Sequence, residues 1–173
     1  DADCKTATLE LVEAGVKYQC VIDLSSGQAS LSIDSGKLQS FSNASGKMVE
    51  RPSAETSVRA GERVSLRFSN CDDQLLLWVD DRLVDFDGAT TFDSLPYRSD
   101  EENRPYYTAE HPLDASPAAV AVSGGKATIR NLRIDRDKYY IANNDSSLAM
   151  VDYDMNELWA ESGTSVSIKD FQQ

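Results

Sequence analysis

Alternation of apolar and polar residues constrains this chain more than any other feature. In RVSLRFS, residues 63–69, Val64, Leu66 and Phe68 fall on one side, and Arg63, Ser65, Arg67 and Ser69 on the other. The same period of two runs through VKYQCVI, which groups Val16, Tyr18, Cys20 and Ile22, and through QASLSID, which groups Ala29, Leu31 and Ile33. Successive side chains of a β-strand point to opposite faces, so these segments are half-buried strands. Turn signals separate them: SSGQ at 25–28, DSGK at 34–37, NASGK at 43–47 and RAGE at 59–62.

A chain of 173 residues has the length of one domain with a sizeable core. The expected fold is therefore all-β, an antiparallel β-sandwich over 1–142 with a C-terminal extension over 143–173. Helix is expected only near the C-terminus, in SSLAMVDYDMNELWAE at 146–161. The expected core comprises Val64, Leu66, Phe68, Leu77, Val79, Val120, Val122, Ile129, Leu132 and Ile134, with the mid-strand Trp78 joining it. In KATIRNLRIDRDKYYI the apolar parity changes between Ile129 and Leu132. Such a slip exchanges the two faces of a strand, so a bulge or bend is expected near Arg130–Asn131.

Charge excludes some partners. With 17 basic and 29 acidic residues the net charge is −12, which repels a phosphate backbone and argues against nucleic acid. No apolar run approaches the ~20 residues that cross a bilayer as a helix. The chain opens on Asp1 rather than methionine, as a piece of a longer protein would. Cys4, Cys20 and Cys71 form no C-x-x-C pair and read as buried or edge residues rather than metal ligands.

The acid excess is local. Between Asn70 and Glu102 ten acids face two arginines, a net −8 of the total −12. Within QLLLWVDDRLVDFDG, residues 74–88, the strand-like runs QLLLWV and RLVDF flank only Asp80 and Asp81. Two residues between strands predict a tight hairpin turn of the primed type, whose positive φ angles aspartate tolerates. A solvated acidic rim and a calcium site built from oxygen ligands are the alternatives for the remaining acids. Asp72, Asp73, Asp85 and Asp87 are accordingly the candidate binding residues, joined by Tyr106 and Tyr107 as aromatics suited to a sugar or peptide surface. DYDMNE at 152–157 fails as an EF-hand start, because Glu157 stands at the glycine position and Gly163 at the final glutamate. His111 is the single histidine, and no G-x-S-x-G elbow accompanies it. No catalytic residue or metal ligand is assigned, and calcium is the one cofactor considered.

Two stretches carry a resemblance. ERVSLRFSNCDDQLLLWVDDRLVDFDG, 62–88, resembles the paired central strands of concanavalin-like, laminin-G-like jelly rolls, with Asp81 where glycine is usual. PAAVAVSGGKATIRNLRIDRDKYYIA, 117–142, resembles the closing strands of that fold. Together with the trailing RDKYYI, the combination is similar to the β-rich insertion of some bacterial signal peptidase I homologues. The resemblance implies an extracytoplasmic accessory domain, on the periplasmic face, of a membrane-anchored serine–lysine peptidase. Its implied partners are the rest of that parent protein, and a pre-protein substrate or cell-envelope glycan. The family's S-M-x-P and G-D-N-S boxes are absent, since SLAM at 147–150 and NNDSS at 143–147 match neither. The family's catalytic residues therefore carry over onto no position here. The alternatives are a stand-alone carbohydrate- or ligand-binding jelly roll, calcium-assisted, and a hydrolase using acids such as Asp85 or Glu157.

Overall fold

The computed structural model describes residues 1–13, 15–34, 41–43, 45–94, 109, 116–135, 142–143 and 153–154. It divides into two compact units, Asp1–Asn131 and Leu132–Gln173. Among the described residues the secondary structure is strand, with no helix.

The first unit holds β1 (Thr6–Glu13), β2 (Val16–Asp23), β3 (Gln28–Asp34), β4 (Phe41–Ser42), β5 (Met48–Val49), β6 (Ser53–Glu55), β7 (Leu66–Cys71), β8 (Gln74–Val79), β9 (Arg82–Leu83) and β10 (Ala118–Ser123). One antiparallel sheet has the order β10-β1-β2-β3-β6. Strands β7, β8 and β9 form a second antiparallel set, and β4 pairs with β5. Thr91 bridges both Ser42 and Gln74, which links the β4–β5 pair to β8.

Register explains the core. Leu9, Cys20 and Leu31 lie side by side across β1, β2 and β3, as do Ala7, Ile22 and Ala29. The expected face of β2 is buried at Val16, Tyr18, Cys20 and Ile22. From the second set come the buried Leu75, Leu77 and Val79, and from its flanks Phe41, Phe86 and Phe92. The Phe92 ring lies 5.2 Å from Tyr18 and packs edge-on against Phe41 at 6.1 Å, so both sheets supply side chains to one cluster.

The turn from β2 to β3 sets that register. Asp23 Oδ1 accepts from the backbone of Ser25 and Ser26, and Gly27 N donates to Asp23 O at 2.7 Å. Gly27 has φ 80°, and a Cβ there would lie 2.4 Å from the Thr56 carbonyl oxygen. Only glycine fits, because the turn needs both a left-handed backbone and a close approach.

Several core expectations are corrected. Val64, Leu66, Phe68 and Val122 pack against the cluster but are only half-buried. Val120, Ile129, Leu132 and Ile134 are exposed. Alternation shows which side chains share a face, but not whether a second layer covers that face. Trp78 is on the opposite side of β8 from Leu77 and Val79, half-buried beneath the Arg67 guanidinium at 5.5 Å. Its cross-strand neighbour is Arg67, and a cation over an indole face stabilises that outer position.

Asn131 has φ 56°, so the expected irregularity falls where the first unit ends, although residues 126–131 form no strand. In the second unit β11 (Ala142–Asn143) pairs in parallel with β12 (Tyr153–Asp154). Apart from Tyr153–Asp154, the expected helix at 146–161 lies outside the described residues.

Candidate functional site

The acidic stretch resolves first into turns. Asp80 and Asp81 have φ of 47° and 63° and join β8 to β9, closed by the Val79–Arg82 pair. Asp72 and Asp73 repeat the geometry, with φ of 47° and 59°, between Cys71 and Gln74. Two consecutive left-handed residues make the primed turn whose twist matches the strands it joins.

The carboxylates hold these turns and the segment after them. Asp80 Oδ1 accepts from Ser65 N at 2.9 Å. Asp73 Oδ2 accepts from Ser94 N at 3.1 Å and Ser94 Oγ at 2.7 Å, while Phe92 N donates to Asp73 O at 2.9 Å. Asp73 thereby fixes the chain that delivers Phe92 to the core. Asp85 Oδ1 accepts from Gly88 N at 3.3 Å, and Asp87 has φ 55°. Among the described residues no three histidine, cysteine, aspartate or glutamate side chains converge as metal ligands would. Tyr106, Tyr107 and His111 lie outside the described residues.

None of the three cysteines is in a disulfide; Cys4 and Cys20 are buried and Cys71 is exposed. Burial pushes the Cys20 thiol up to about 12, which keeps it protonated and unreactive at neutral pH.

Of the candidate acids, Asp87 borders a cleft. This cleft of about 230 Å³ is lined by Asn43, Lys47, Val49, Arg51, Pro52, Ser53, Phe86, Asp87 and Ala89. Pro52, Phe86 and Ala89 are buried and form an apolar floor, while Lys47, Arg51 and Asp87 are exposed at its rim. Short-range bonds fix each wall. Asn43 Oδ1 accepts from Ser45 N, Ser45 Oγ and Lys47 N at 3.1, 2.7 and 2.9 Å, an Asx turn that sets the Lys47 backbone. Leu31 N donates to Pro52 O at 2.9 Å and ties the Arg51–Pro52 wall to β3. Ala89 N donates to Phe86 O at 3.0 Å and closes the third wall.

Among the described residues, Lys47 and Arg51 have no partner for a side-chain hydrogen bond or ion pair. Two unpaired cations over an apolar floor favour a small carboxylate ligand, which a guanidinium grips through paired hydrogen bonds. In the sequence, NASGK at 43–47 reads as a turn signal and its NAS as a glycosylation pattern, and neither reading singles out Lys47 or Arg51. The available signal was the spacing of Lys47 and Arg51, two cations four apart in a chain of net charge −12.

No protein family, curated protein or solved structure matches this chain.

Proposed function

We propose that this chain is a non-catalytic binding domain, with its two sheets arranged as a β-sandwich, and that its ligand site is the Lys47–Arg51 cleft. The observation that carries this reading is the pair of unpartnered cations above the Pro52, Phe86 and Ala89 floor. The sandwich arrangement draws support from the buried cluster that both sheets share. Against a hydrolase reading, Asp73, Asp80 and Asp85 already accept backbone hydrogen bonds from Ser94, Ser65 and Gly88. The ligand class is an acidic sugar unit or similar small carboxylate, with its charge at Arg51 and Lys47 and an apolar face on the floor.

The parent protein we propose is a signal peptidase I-like membrane serine protease, with this chain as its extracytoplasmic accessory domain. That part of the reading rests on the 62–88 and 117–142 stretches alone. A cell-envelope glycan is the ligand that unites both parts, because acidic sugars carry the carboxylate that the cleft would recognise.

Calorimetric titration with galacturonate tests the site. Wild-type protein is expected to bind saturably, and Lys47→Ala/Arg51→Ala to lose at least tenfold in affinity with unchanged folding. Absence of binding by wild-type protein, or equal binding by both proteins, would refute the cleft as the site.

A further inference from the structure

Among the described residues the outer edge of β10 is unprotected, unlike the edges at β5, β6 and β7. An edge strand offers unpaired backbone groups to another strand, and proteins blunt it with charge, proline or brevity. Edge strand β6 has three residues, follows Pro52 and carries Glu55; β5 has two residues; β7 carries Arg67. Strand β10 has six residues, AAVAVS, and Ser116–Gly125 contains no charge at all in a chain of net charge −12.

Hydrogen bonding shows which backbone groups face outward. Leu24 N donates to Lys5 O, so Ala7, Leu9 and Leu11 of β1 direct their backbone groups to β2. Val12 N donates to Pro117 O, so Glu10 and Thr8 turn theirs to Ala119 and Ala121 of β10. Ala118, Val120 and Val122 therefore point their N–H and C=O groups away from β1, where no described residue takes them. The side chains of these same three residues continue the inner face of the sheet, beside Leu11, Leu9 and Ala7. Cover fails towards this edge: along one row Leu31 and Cys20 are fully buried, Leu9 is half-buried and Val120 is 41% exposed.

We propose that β10 is a self-association edge, which joins two copies of this chain antiparallel about a two-fold axis at Val120. A two-fold there pairs Val120 with Val120 of the second copy, and Ala118 with Val122 in both directions. These are the residues with outward backbone groups, so each pair exchanges both of its bonds. The apolar inner faces then run on from one copy to the next. The charge-free span sets no like charges opposite each other, as an isologous contact between two acidic copies requires. On the solvent face, Ala119 of one copy meets Ala121 of the other.

Sedimentation velocity on the 173-residue chain in reducing buffer tests this, with Cys71 cross-links excluded. Wild-type protein is expected to form a concentration-dependent dimer. Ala119→Lys/Ala121→Lys places lysines opposite each other and should weaken it at least tenfold. Ala119→Lys/Ala121→Glu places opposite charges there and should keep the dimer. Val120→Pro removes an outward N–H that β1 does not use, and should give a folded monomer by circular dichroism. A wild-type monomer throughout, or a double-lysine variant that dimerises as tightly as wild type, would overturn the proposal.

Discussion

Asp81 sits at φ 63° with no side-chain hydrogen bond to a described residue, whereas Asp80 at φ 47° accepts from Ser65 N. A left-handed residue with a Cβ costs roughly 1–2 kcal/mol relative to glycine. Asp81→Gly should therefore leave the fold intact and raise its stability by up to ~1 kcal/mol in chemical denaturation. A clear loss would mean that the Asp81 carboxylate does more than close a turn. Asp23 behaves differently. The Ser25 hydroxyl, then the Ser26 and Ser25 N–H groups, hold its carboxylate down at about 2 from an ordinary 3.8. The folded state thus binds its proton less readily than the unfolded chain. Its stabilising contribution is present above pH 3.8 and is lost as pH falls through about 2. Asp23→Asn keeps an oxygen acceptor but no titrating group, so its urea midpoint should fall less than that of wild type across that window. Parallel acid limbs for the two proteins would contradict the assignment.

Strand β8 shows what alternation can and cannot tell. The sequence pattern places Leu77 and Val79 together, and they are buried together. Trp78 was misplaced because an aromatic mid-strand suggests core, although its parity opposes Leu77; the Arg67 partner settles the face. Leu77→Ala should cost ~2–5 kcal/mol, the range for a buried large-to-small change. Trp78→Ala should cost markedly less in the same denaturation series, since its ring is half-exposed. A larger loss at Trp78 would reverse the two faces. The Asp80–Asp81 hairpin was legible because only these two residues separate its flanking strand-like runs. Phe41 and Phe92 were not, since one lies in a two-residue strand and the other outside any strand, where no period exists to read.

At the scale of the whole molecule, the all-β character follows from the period-two runs, and strands of both sheets supply side chains to the cluster around Tyr18, Phe41 and Phe92. The candidate site was much less legible. Asp72, Asp73 and Asp85 stood out by charge density, yet the structure uses them in local turns and loops. The cleft is assembled from Asn43–Ser53 and Phe86–Ala89, segments whose meeting depends on tertiary packing alone. Exposure of the 129–134 stretch was hidden for the same reason, because periodicity is local and cover is not. On the proposed reading, binding belongs to the cationic cleft and the acidic turns are structural. Amide chemical shifts followed by two-dimensional NMR during a galacturonate titration test it most directly. Saturable shifts are expected, confined to Asn43–Ser53 and Phe86–Ala89, with the amides of Asp72, Asp73, Asp80 and Asp81 unmoved. Shifts centred on those four aspartates, or none anywhere, would contradict it.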